Sequence, residues 1–174
     1  MEEQIRTETV FSGNLLTVRS DTVRLANSRT STREVVEHPG AVAIIPLTDD
    51  GKILLVKHFR YPVGRTMLEI PAGTREPHER AIETARRELE EETGLQAESM
   101  IEIARFYSSP GWATEEIVLF RAESLSPSGH GPDHDEILDV IGVSPARIPG
   151  LMRDGRIADA KTIIAAQMIT AHFR

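Results

Sequence analysis

Between Gly73 and Leu95 the chain reads GTREPHERAIETARRELEEETGL, and the crowding of glutamate there constrains the fold more than any other segment. Like charges packed this closely repel, so such a run is a solvated helix face, a disordered tail, or a site with a cation among its acids. Arg80, Arg86 and Arg87 are interleaved with the acids, and Ile82, Ala85 and Leu89 recur at helical spacing. That pattern predicts an amphipathic helix with one flank turned to a core. Glu88, Glu91 and Glu92 then stand at i, i+3 and i+4 and project side by side. Their repulsion costs roughly a few tenths of a kcal/mol per pair on an isolated helix, and more where water is excluded. A hard divalent cation removes that cost. Magnesium takes oxygen ligands, keeps several waters and is commonly held by one or two carboxylates together with substrate phosphates. The segment therefore points to a magnesium-phosphate site.

The spacing is more specific than the charge. Gly73, five residues, Glu79, seven residues and then Arg87-Glu88-Leu89-Glu90-Glu91-Glu92-Thr93-Gly94-Leu95 resembles the Nudix box, G-x5-E-x7-R-E-U-x-E-E-x-G-U with U apolar, and all nine constrained positions match. The resemblance implies a Nudix fold, with a mixed β-sheet core in an α/β/α sandwich, and metal-dependent hydrolysis of a nucleoside diphosphate linked to another moiety. It implies Glu88 and Glu92 as principal metal ligands, Glu91 as a further ligand or water-orienting catalytic group, and Ala72 as a ligand through its backbone carbonyl. Glu92 is implied in catalysis as well. Gly73, Glu79, Arg87 and Gly94 are implied as structural positions, with Arg87 pairing with Glu79 to fix the loop-helix-loop. The implied cofactor is Mg2+, with Mn2+ as a substitute. Glu83, one turn before Arg87, reads as surface ion pairing.

Residues outside the box speak to specificity. Pro110 lies fifteen residues beyond Leu95, within Tyr107-Ser108-Ser109-Pro110-Gly111-Trp112 and ahead of Glu115. This is similar to the S-P-G-x-x-x-E segment of ADP-ribose pyrophosphatases, which implies substrate contacts from Pro110, Gly111 and Trp112. The stretch from Thr32 to Ala41 resembles the strand entry of the same subfamily, which implies that Arg33 packs over adenine and Glu34 bonds its amino edge. A planar guanidinium suits a π-face. Such residues come from the partner subunit in that subfamily, so a homodimer with exchanged N-terminal strands is implied. Arg60, in His58-Phe59-Arg60-Tyr61-Pro62, resembles an arginine that contacts the diphosphate. Glu136 resembles the late-loop glutamate that activates water, with Asp133 and Asp135 as alternatives. His130 and His134 read as ordinary loop histidines, because no cysteine and no H-E-x-x-H spacing accompanies them.

ADP-ribose cleaved to AMP and ribose 5-phosphate is the expected reaction. Other nucleoside diphosphate derivatives remain as substrates to be weighed: an ADP-sugar, a dinucleotide polyphosphate or an oxidised nucleotide. A non-catalytic ADP-ribose-binding module would show a degenerate box or an appended helix-turn-helix, and neither is seen. An isomerase of the same fold would need a cysteine, and the chain has none.

Length and charge set the frame. At 174 residues the chain suits one catalytic domain. A net charge of −7 argues against a nucleic-acid partner, whereas metal ions and local arginines let a small phosphate ester bind. No apolar run approaches the roughly 20 residues of a membrane span, and the N-terminus carries no secretion signal, so a cytoplasmic protein without membrane association is expected. Residues 1–39 read as an N-terminal antiparallel β unit and 40–174 as the Nudix domain. Strands are expected at 15–20, 22–25, 32–37, 41–47, 52–58, 101–107, 117–122 and 137–143, and helices near 79–93, 145–154 and 159–172.

Overall fold

In the computed structural model, residues 1–129 and 139–172 are described. They divide into two compact units, Met1–Gly40 with Phe106–Glu116, and Ala41–Arg105 with Ile117–Arg174. No helix among the described residues is long and apolar enough to cross a membrane.

The first unit is built on an antiparallel meander of β1 (Glu3–Ser12), β2 (Thr17–Arg24) and β3 (Thr30–Glu37). Residues 15–20 and 22–25, expected as two strands, form the single strand β2. Its ladder to β3 runs unbroken through Asp21, which pairs in register with Arg33. Strand β1 has no counterpart among the expected strands. All ten of its residues are exposed, so it lacks the apolar and polar alternation by which a half-buried strand announces itself. The end of β3 also holds the 108–115 loop. The Val36 N–H donates to the Trp112 carbonyl at 2.8 Å, and the Thr114 N–H donates to the Val36 carbonyl at 2.9 Å.

The second unit contains β4 (Ala41–Pro46), β5 (Ile53–Arg60), β6 (Arg65–Glu69), β7 (Ala72–Thr74), α1 (Ala81–Thr93), most of β8 (Leu95–Tyr107) and β9 (Glu116–Pro127), then β10 (Asp139–Val143), α2 (Ile148–Arg153) and α3 (Ala160–His172). One sheet has the order β7-β4-β9-β8, with β4 antiparallel to β7 and parallel to β9, and a second, antiparallel sheet has the order β10-β5-β6. The fold is thus mixed α and β, as expected. Val42, Ala43, Ile44 and Ile45 of β4 are all fully buried, which places this strand at the centre with both faces covered. On one face Val42 and Ile44 cluster with Val118 and Phe120 of β9 and with Ala85 and Leu89 of α1. The apolar stripe of the acidic helix is therefore what docks it on the sheet.

Several boundaries move. Helix α1 begins at Ala81 because Arg80 is extended and its N–H donates to the Glu83 carboxylate at 3.0 Å, which leaves Glu79 in the preceding loop. Strand β8 starts directly after Gly94, six residues earlier than expected. Residues 64–73, where no strand is expected, contain β6 and the start of β7. The 145–154 helix is a 3-10 turn at Pro145–Arg147 followed by α2, because Pro149 has no N–H to donate and is tolerated only in a first turn.

Candidate active site

The box folds as a strand, a loop and a helix held together from within. Arg87 is the hub: its guanidinium donates to Glu79 at 3.3 Å and to Glu91 Oε2 at 2.8 Å, pairs with Glu88 Oε1 at 2.7 Å, and reaches the Thr74 carbonyl at 3.4 Å. Burial works against its charge, and the surrounding acids more than offset that, so its pKa is raised. Glu79 also accepts from the Thr84 hydroxyl at 2.8 Å, which ties the loop to the first turns of α1. Glu83 pairs with Arg80 at 2.7 Å on the surface. At the other end Gly94 adopts a left-handed φ of 68°, and its N–H donates to the Glu90 carbonyl at 2.8 Å. A residue without a Cβ suits that turn.

Glu88 and Glu92 are the acids that α1 buries. Glu92 Oε2 accepts the Ala72 N–H at 3.1 Å. Burial, with repulsion from Glu88 added, pushes the Glu92 carboxyl up to about 8 despite that hydrogen bond. Gly73 lies directly over the Glu88 carboxylate: a Cβ built there would fall 1.9 Å from Glu88 Cδ. The missing side chain is a cradle that lets backbone and carboxylate approach. Among the described residues, no three histidine, cysteine or acidic side chains converge as a ready metal cluster. Arg87 holds both Glu91 and Glu88, and of the two only Glu88 is buried. Two buried carboxylates that repel one another are nevertheless hard-oxygen donors of the kind a divalent cation stabilises. The residues fit the ion.

Beside this pair stands a group the sequence reading missed. Glu69, 1% exposed at the end of β6, accepts from Arg60 Nε at 3.0 Å and Arg60 Nη2 at 2.9 Å, and is bonded by Lys161 Nζ as well. Burial drives its carboxyl up, but the two cations more than offset this and hold it at about 2. Lys161 also donates to Asp159 Oδ1 at 3.0 Å. Arg60, expected at the diphosphate, is thus anchored on Glu69, with its charge close enough to interact with that of Glu92. A signal was present in the sequence: Glu69 sits inside the apolar stretch Met67-Leu68-Glu69-Ile70, where a buried acid requires a partner.

The residues expected at the base lie in the first unit. Arg33 is bound by Glu2, with Nε to Oε2 at 3.0 Å, and Glu34 is its neighbour on β3. Pro110, Gly111 and Trp112 occupy the loop joined to β3 at Val36, and Trp112 is exposed. Within this unit the structure brings the 33–36 strand and the 110–112 loop onto one backbone network. His130, Asp133, His134, Asp135 and Glu136 lie outside the described residues.

Comparison with known proteins agrees with this anatomy. Residues 37–165 match the NUDIX domain, and residues 2–36 match the nucleoside diphosphate sugar hydrolase N-terminal domain. An ADP-ribose pyrophosphatase of Bacillus subtilis is 44% identical over 97% of this chain and 92% of its own length. A methanol dehydrogenase activator of Bacillus methanolicus is 43% identical with the same coverage. The crystal structure of an ADP compounds hydrolase superposes with a TM-score of 0.86 over 98% of this chain and 92% of its own, and at 24% identity that likeness speaks for the fold. With the box complete and the NUDIX match covering most of its length, this chain belongs to the Nudix family of hydrolases.

Proposed function

We propose that this protein hydrolyses the pyrophosphate bond of ADP-ribose, giving AMP and ribose 5-phosphate, in the cytoplasm as a magnesium-dependent homodimer. The observation that carries the reaction is the buried Glu88 and Glu92 pair, Glu88 against Gly73 and Glu92 bonded to the Ala72 N–H. Support for the substrate comes from the 44% identity to the Bacillus subtilis enzyme across nearly the whole chain. Glu88, Glu92 and the Ala72 carbonyl would hold the metal, with Mn2+ able to replace Mg2+ and Glu91 entering as a further ligand or water-orienting group. A divalent ion bound there neutralises pyrophosphate charge and lowers the pKa of a bound water.

The chain's own groups do the rest. Arg60 turns Nε and Nη2 to Glu69, and its remaining nitrogen, Nη1, is assigned to a phosphate oxygen. Arg33, Glu34, Pro110, Gly111 and Trp112 are assigned to the adenosine, and Glu136 to proton abstraction from water, with Asp133 or Asp135 in its place if the loop so dictates. Residues 1–39 are assigned to dimerisation. Ile5, Val10 and Phe11 are exposed on β1, apolar side chains that a second copy would cover.

A second reading is favoured by one observation, the match of residues 2–36 to the nucleoside diphosphate sugar hydrolase N-terminal domain. It replaces ADP-ribose by another nucleoside diphosphate sugar at the same site. The two are separated by incubating the enzyme and Mg2+ with ADP-ribose, ADP-glucose, GDP-mannose, NADH and a diadenosine polyphosphate in heavy-oxygen water, and following products by mass. A preference for ADP-ribose is expected. Preference for any other member of the panel overturns the assignment, and the label identifies the phosphorus attacked.

A further inference from the structure

The Arg60 assignment raises a physical difficulty. An arginine on a strand end keeps several rotamers, yet a diphosphate contact requires one orientation of its fork. The bidentate bond to Glu69 fixes the plane of the guanidinium only if Glu69 is itself fixed. A chain of hydrogen bonds from α3 supplies that constraint. The Ile70 N–H donates to Thr162 Oγ1 at 3.0 Å, and the Thr162 hydroxyl donates to Asp159 Oδ1 at 2.9 Å. Asp159 Oδ1 also accepts the Thr162 N–H at 3.0 Å, as an N-cap does, and accepts Lys161 Nζ. Lys161 then bonds Glu69 Oε2, the same oxygen that takes Arg60 Nη2. Lys161 is 13% exposed and Glu69 1%, so this is an enclosed network rather than a rim ion pair. Its charges sum to zero, Arg60 and Lys161 against Glu69 and Asp159.

We propose that Lys161 is a positioning residue of this site: by holding the second oxygen of Glu69 it fixes the Arg60 guanidinium in the orientation that receives the diphosphate. The inference rests on the reading of Arg60 as a diphosphate contact. In this role Lys161 acts through Glu69 and Arg60, to which its bonds lead. It acts from α3, ninety-two residues from Glu69 in sequence, so the C-terminal helix becomes part of the binding apparatus and not only a cover for the core.

The test is a double-mutant cycle on steady-state hydrolysis of ADP-ribose by the full chain, using Lys161→Met, Arg60→Ala and the pair. A contact made alike in ground and transition states appears in KM. Lys161→Met is expected to raise KM about tenfold with kcat changed by less than about threefold, as loss of one charge-assisted hydrogen bond predicts. In the Arg60→Ala background the same substitution is expected to change KM by less than about twofold. Lys161→Arg, which keeps the charge and the donor, should recover most of the loss. An equal KM effect in both backgrounds, or none in the wild-type background, overturns the proposal and leaves Lys161 as an ion pair that only docks α3. Should Lys161→Met not fold, Lys161→Gln is read by the same criteria. If the wild-type enzyme prefers another nucleoside diphosphate derivative, the cycle is run on that compound, so failure of the substrate reading is separate from failure of this one.

Discussion

At the scale of single residues, two features decide the geometry. Gly73 lacks a Cβ, and Glu88 occupies the space it leaves. Gly73→Ala is expected to displace the Glu88 carboxylate or the β7 backbone, and displacements near 1 Å at a reacting site cost about a hundredfold in rate. Steady-state kinetics on the soluble variant checks this, and activity within tenfold of wild type would show that the approach is slack. Glu92 carries the other feature, a carboxyl that burial pushes up to about 8 beside a second acid. Its isosteric amide keeps an oxygen for the Ala72 N–H, so Glu92→Gln should fold normally, with an unfolding midpoint within a few degrees of wild type in circular dichroism.

At the scale of elements, α3 and the β6 to β7 connection are joined by charge rather than by apolar contact alone. Glu69 has a folded pKa of about 2 against an ordinary 4.5. A depressed carboxylate stabilises the fold fully above the unfolded value, and that contribution is lost as pH falls through the folded one. Glu69→Gln should therefore lose on the order of 3 kcal/mol at pH 7, where it leaves two cations facing a neutral amide. The difference from wild type should shrink progressively below about pH 4.5 in denaturant titrations. A difference that stays constant down to pH 3 would contradict the ion-pair account. The same elements mark what was legible in the sequence. The box was legible because its charges, its helical period and its stop at Gly94 all fall within 23 consecutive residues. Lys161 was not, because its partner lies ninety-two positions away and Asp159-Ala160-Lys161-Thr162 reads only as a helix start. Strand β1 was not, because a strand with both faces exposed carries no periodic signal. Strand β6 was hidden for a different reason: its five residues pass into Pro71 and Gly73, which read as a loop.

At the scale of the whole molecule, the chain sets a local acidic centre in a fold whose N-terminal unit leaves apolar residues in water. In the proposed homodimer, exposed Ile5, Val10 and Phe11 of β1 would be buried by the second copy. Light scattering should give a mass near twice 19.3 kDa for the full chain and a monomer mass once residues 1–12 are removed. A monomeric full chain at micromolar concentration would remove the exchanged-strand dimer from the account. The most direct test concerns the carboxylate pair itself. Wild type and Glu92→Gln are incubated with ADP-ribose and Mg2+, and AMP and ribose 5-phosphate are followed by mass, with chelator in a parallel series. Wild type is expected to release both products, to stop when chelator is added, and to lose at least about a thousandfold of its rate in Glu92→Gln. Turnover of the variant at the wild-type rate, or wild-type turnover that persists in chelator, would contradict it.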